Sequence, residues 1–112
     1  MSRRDTHLLL HDMLDHAREA VSFIDGKGFT DLLVDRQLSL ALVRLLEIVG
    51  EAAAQIPQDD RDRCLEIPWG PIIGARNRLI HGYAVVDLEI VWKIVDEDLR
   101  GLIPVLEDLL AR

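Results

Sequence analysis

The stretch Leu38-Ser39-Leu40-Ala41-Leu42-Val43-Arg44-Leu45-Leu46-Glu47-Ile48-Val49-Gly50-Glu51-Ala52-Ala53 decides the fold. Leu38, Ala41, Leu42, Leu45, Val49, Ala52 and Ile56 recur at the three- and four-residue spacings of one helix face. Leu40, Val43, Leu46 and Ala53 add a second set that widens the apolar surface beyond a single stripe. A helix apolar on more than one face sits at the centre of a bundle, or buries its second face in a partner subunit. The helix is expected from about Asp35 to Ile56, where Pro57 ends it.

Working outward, residues 5 to about 25 carry Leu10, Met13, Leu14, Ala17, Val21 and Ile24 at helical spacing. Asp25-Gly26-Lys27-Gly28 supplies a stop and a turn, after which Thr30 or Asp31 can cap a new start. On the C-terminal side, Asp59 to Leu65 reads as a short charged helix or turn with a solvated face. Ile67-Pro68-Trp69-Gly70-Pro71 is a break, and either proline suits the first turn of the helix that follows. That helix carries Ile72 to Ile80, and Gly82 loosens its end. Ala84-Val85-Val86 connects it to Asp87, a good N-cap with Glu89 in the first turn. The last helix runs from Leu88 to about Leu110, with kinks expected at Gly101 and Pro104. No segment alternates over a strand's length. The expected architecture is a single all-α domain over residues 1–112. It is an up-and-down antiparallel four-helix bundle with one extra short helix.

Length and charge narrow the function. The chain has 112 residues, enough to bury roughly two-thirds of its unfolded surface without a disulfide or metal. Twenty acids against thirteen bases give a net charge of −7, which opposes general binding of polyanions. Any nucleic-acid contact has to come from a local basic cluster. The single cysteine, Cys64, excludes an intrachain disulfide and a cysteine-based zinc site. Leu8-Leu9-Leu10 is too short for a signal peptide or a membrane span, so a cytoplasmic protein without membrane contact is expected. His7, His11 and His16, with Glu47 and Glu51 on another helix, invite a metal reading. The Glu-x-x-His repeats of di-iron bundles are missing, and neither a metal nor a cofactor is expected.

The chemistry concentrates in Gly74-Ala75-Arg76-Asn77-Arg78-Leu79-Ile80-His81-Gly82-Tyr83. On one regular helix, Ile72, Ile73, Leu79, Ile80 and Tyr83 surround Arg76, so its guanidinium sits in the apolar face. There it needs an acid, a phosphate or a cleft. Asn77 and His81 share a neighbouring face, and Arg78 points to solvent. Arg76 and His81 then lie about 140° apart, too far to grip one atom together. Either the helix deviates before Gly82, or a two-fold dimer brings two such helices to one groove. The wide apolar surface of the long helix favours the dimer.

Arg76-x4-His81 resembles the Arg-x4-6-His signature of the HEPN superfamily, and Arg76-x4-His81-x-Tyr83 resembles its HepT toxin version. Ile48-Val49-Gly50-Glu51-Ala52-Ala53, Ile67-Pro68-Trp69 and Val86-Asp87-Leu88-Glu89-Ile90-Val91-Trp92 extend the likeness over essentially the whole chain. The resemblance implies a HEPN-like homodimeric bundle and a metal-independent endoribonuclease acting on an RNA substrate. It also implies a cognate minimal nucleotidyltransferase antitoxin, MntA-like, that adds AMP to the motif tyrosine. By that resemblance Arg76 binds the scissile phosphate, His81 is the acid/base, Asn77 assists and Tyr83 is the regulatory target.

Structural readings stand beside these. Arg76 can form a buried salt bridge with Glu51 or Glu47, which would also orient it for function. His81 can cap a helix C-terminus, Tyr83 can be a core tyrosine with a wet hydroxyl, and Asn77 can bond locally. Trp69 and Trp92 read as packing anchors, with Trp69 placed to line a cleft. The functional rival to a nuclease is a non-catalytic nucleotide- or RNA-binding subunit of a nucleotidyltransferase; a purely structural dimeric bundle is the third reading.

Overall fold

The computed structural model describes residues 2–81 and 85–112, with only the backbone of Arg3, Arg76, Ile80 and His81. The first helix, α1, spans Arg3–Phe23. It begins earlier than its apolar spacing suggests because Ser2 and Asp5 form a reciprocal capping box. Hydrogen bonds from Ser2 hold the Asp5 carboxyl below its usual pKa. This cap therefore stabilises α1 above the ordinary carboxylate range and is lost as pH falls through the lowered value.

The turn that follows uses Gly26 at φ 72°, the left-handed region that glycine enters without a Cβ clash. A short helix, α2 (Phe29–Val34), comes next. Its cap is neither Thr30 nor Asp31 as N-cap residue. The chain enters at Gly28, whose N–H donates to the Asp31 carboxylate at 2.7 Å. The long helix α3 spans Arg36–Gln55, and Asp35 caps it by accepting from the Leu38 N–H at 3.0 Å.

After Pro57, α4 covers Gln58–Asp62. Its charged run is more than a solvated face. Arg61 turns back to donate to the carbonyls of Ile56 at 2.8 Å and Ala54 at 2.9 Å, satisfying acceptors left over at the end of α3. Asp60 accepts from Thr6 at 2.8 Å, tying this corner to the start of α1. The start of α1 thus lies beside the end of α3, and the two helices run antiparallel in the most extensive packing of the molecule.

The expected motif helix is two pieces, α5 (Trp69–Ile73) and α6 (Ala75–Leu79), joined through Gly74. The last helix starts at Asp87, whose side chain accepts from the N–H groups of Glu89 and Ile90 as the sequence suggests. It continues as α7 (Leu88–Lys93), a π-helical stretch (Ile94–Leu99) and α8 (Arg100–Ala111). The departure from regular winding falls before Gly101 and Pro104, at the π turn. Pro104 lies inside α8 and lacks the N–H that would bond the carbonyl of Arg100, the residue just after that turn.

The core is aliphatic. Met13, Ile24, Leu42, Val49, Ile56, Leu79, Val91, Leu99 and Leu106 are almost fully buried, and no polar side chain is buried among the described residues. The second apolar set of α3 is largely covered by the chain itself. Leu46 and Ala53 are buried and Val43 is half-buried, leaving Leu40 exposed. The wide surface of this helix is therefore explained by its central place, and it loses force as an argument for a dimer.

Gly50 sets how closely α5 approaches α3. A Cβ there would lie 3.2 Å from the Ile72 carbonyl oxygen, whereas one at Gly101 would meet nothing within 4 Å. Gly50→Ala is expected to cost about 1–2 kcal/mol through overpacking. Gly101→Ala should instead add about 0.5–1 kcal/mol by removing backbone freedom from the unfolded chain. Urea unfolding of both variants checks the opposite signs.

Candidate active site

The motif straddles a change of backbone. Gly74 holds helical geometry (φ −82°, ψ 0°) and accepts from the N–H groups of Asn77 and Arg78 at 3.1 and 3.3 Å, starting α6. A Cβ on Gly74 would lie 3.1 Å from the Gly70 carbonyl oxygen. Ala75 and Leu79, one helical turn apart, are buried and hold α6 against the core, while Asn77 and Arg78 are exposed.

At Leu79 the helix stops. Ile80–His81 is extended and pairs antiparallel with Val85–Val86, placing Ile80 opposite Val86 and His81 opposite Val85. The Asp87 N–H donates to the Leu79 carbonyl at 2.7 Å and closes the foot of this hairpin. This corrects the expectation of one helix running to Gly82. Pairing with Val85–Val86 supplies His81 with ladder bonds in place of helical ones, and helical angles no longer relate it to Arg76. Arg76 lies on α6 and His81 on the strand. Tyr83 lies outside the described residues.

The suggested orienting acids of Arg76 are on α3. Glu47 is half-buried and Glu51 exposed; Arg44 on the same helix approaches them at 3.4 and 4.0 Å. Both glutamates border a small groove of about 190 Å³ that reaches Gly50 and Ile73, on the side where α5 packs. Such exposed pairs contribute little to stability.

Arg78 does not simply point into solvent. It donates to the Pro71 carbonyl at 3.0 Å and stands 3.9 Å from Asp98 of the π turn. Between α3, the α5–α6 limb and the C-terminal helix lies a cavity of about 670 Å³. Its walls are apolar, from Leu46, Val49, Ile72, Ile90, Ile94 and Leu99, and its polar groups are Asn77, Arg78, Lys93 and Asp98. This cavity, Arg78 and the π turn were not signalled by the motif spacing; only the clustering of Asn77 and Arg78 hinted at a polar edge.

The tryptophans are anchors. The Trp69 indole N–H donates to the carbonyls of Arg61 and Cys64 at 3.1 and 3.0 Å, so it faces the α4 corner and does not line the cavity. Trp92 meets Phe29 of α2 edge-on at 6.4 Å. Burial, with the neighbouring Glu66 charge second, raises the Cys64 pKa, which opposes thiolate formation. His7 and His11 meet edge-on at 4.9 Å, and the His16 ring contacts the Asp12 carbonyl at 2.7 Å. Among the described residues no three His, Cys, Asp or Glu side chains converge as metal ligands.

No described helix is long and apolar enough to cross a membrane. No solved structure matches the chain. The family described as "Ribonuclease HepT-like" matches residues 13–109. Among similar proteins, "Probable ribonuclease HepT" of Thermococcus cleftensis is 39% identical over 95 residues, covering 81% of this chain and 86% of its own. "Putative RNase MJ1380" of Methanocaldococcus jannaschii is 37% identical over 98 residues, covering 88% and 90% respectively. The chain belongs to the HepT-like ribonuclease family.

Proposed function

We propose that this protein is a metal-independent endoribonuclease, the toxin of a type VII toxin–antitoxin pair, with Arg76 and His81 at its reactive centre. The observation that carries the reading is the end of α6 at Leu79, which frees His81 from the helical spacing that would keep it away from Arg76. Family membership supports RNA as the substrate.

The chemistry asks for little more. The 2′-hydroxyl must lose a proton and the leaving 5′-oxygen must gain one. An imidazole near its unperturbed pKa serves either step near neutrality. An arginine fork stabilises charge on the phosphorane-like transition state. Asn77, next to Arg76 on α6, assists by positioning the RNA beside the phosphate. A HEPN-like homodimer would present two copies of Arg76 and His81 in a composite cleft, giving one base and one acid.

An MntA-like nucleotidyltransferase would neutralise the protein by adding AMP to Tyr83. The added phosphate would compete for Arg76 and its bulk would fill the cleft. The rival reading, a non-catalytic subunit of a nucleotidyltransferase, is favoured by the net charge of −7.

Expression in cells separates the two. Wild type should arrest growth and fragment RNA, and Arg76→Ala and His81→Ala should each remove about 10²–10⁴-fold of the activity. Harmless wild-type expression with tight partner binding would favour the rival, and intact cleavage by His81→Ala would remove its acid/base role. Incubation with the nucleotidyltransferase and ATP should add one AMP group to wild type and none to Tyr83→Phe, as read by mass spectrometry.

A further inference from the structure

The cavity of about 670 Å³ beside α6 has the size of a small-ligand site. Its wall owes part of its shape to the π turn. In an α-helix, Ile94 and Leu99 would point about 140° apart. The wider turn of i→i+5 bonding brings positions five apart toward one side, and both residues line the cavity. The same turn brings Asp98 to the edge, within 3.9 Å of Arg78. π turns of this kind are frequent at functional sites.

Charge at the edge runs against the rest of the molecule. Arg78 and Lys93 face one carboxylate, Asp98, in a chain of net charge −7. Lys93 is exposed and has no hydrogen bond or ion pair among the described residues. Arg78 and Asp98 stand at 3.9 Å, beyond hydrogen-bond distance, so the guanidinium keeps donors to offer. Apolar walls, a primary amide and a surplus cation together match a flat heterocycle carrying a phosphate.

We infer that this cavity is a nucleobase subsite for the RNA nucleotide flanking the cut. Ile90, Ile94 and Pro71 cover the base, Asn77 reads its edge, and Lys93 with Arg78 holds the adjoining phosphate. Unstacked bases are commonly read in this way, buried against apolar side chains with their edges hydrogen-bonded. An amide offers both donor and acceptor, so Asn77 can favour one base. The inference rests on the ribonuclease reading and adds the residues that would select the sequence cut.

Two measurements on the full chain test it. Titration with 3′-AMP, 3′-GMP, 3′-CMP and 3′-UMP should show saturable binding with a preference among bases. Lys93→Gln should weaken it at least fivefold, and Ile90→Trp, which fills the cavity, at least tenfold. Sequencing the ends cut from a random-sequence RNA should show a base bias at one position beside the cut. Ile90→Trp should flatten that bias and raise KM more than it lowers kcat. Thermal unfolding and sedimentation accompany both variants; if Ile90→Trp fails to fold, the exposed Lys93→Gln decides. Wild-type cleavage without bias overturns the subsite and leaves the ribonuclease reading intact, whereas a wild type that cuts no RNA removes that reading first. Nucleotide binding lost in the variants with cleavage bias unchanged would make this a free-nucleotide site, again overturning the inference. Dissociation of a wild-type dimer by Ile90→Trp would assign the cavity to a second copy and do the same.

Discussion

The approach of α5 to α3 at Gly50 is the constraint on which the candidate site depends. With a Cβ at that position only 3.2 Å from the Ile72 carbonyl oxygen, any larger residue would push the α5–α6 limb outward. Ala75 and Leu79 then seat α6 in the core. The Asp87 N–H, bonded to the Leu79 carbonyl, fixes where the last helix begins relative to the end of α6. One glycine and one backbone hydrogen bond thus locate both sides of the motif. The polar residues gain a defined position without any described polar side chain being buried.

This economy matters because a helix alone makes a poor scaffold for two groups five residues apart. Regular winding would send them to different faces. Ending α6 at Leu79 and pairing Ile80–His81 with Val85–Val86 gives the chain a second element within the same short motif. On the other side of α6, the π turn reshapes the C-terminal helix so that Ile94, Asp98 and Leu99 border one cavity. Both departures from α-helical geometry fall on elements flanking α6.

Much of the framework was legible in the sequence, where local causes act. The periodicity of α1 and α3 named their buried faces, and Asp35 and Asp87 marked helix starts by side-chain chemistry that operates over three residues. The misses have non-local causes. Ile80 and His81 are compatible with a helix, and only pairing with Val85–Val86 makes them extended. Arg61 looked like part of a solvated run because its acceptors, the carbonyls of Ala54 and Ile56, are backbone groups that no side-chain pattern reports. The π turn likewise is a matter of backbone bonding. For the site, Asn77 and Arg76 could be assigned to one helix from spacing alone, but the cavity that Asn77 and Arg78 border is assembled from three separate stretches of chain.

The central claim is that RNA is cut through its own 2′-hydroxyl by protein side chains. Its most direct test is cleavage by the purified protein in excess chelator, comparing an RNA oligonucleotide with the same oligonucleotide carrying 2′-deoxyribose at the cut position. The account predicts that the RNA is cut to a 2′,3′-cyclic phosphate end while the deoxy-substituted strand stays whole. Equal cleavage of both strands, or complete loss of cleavage in chelator, would contradict it.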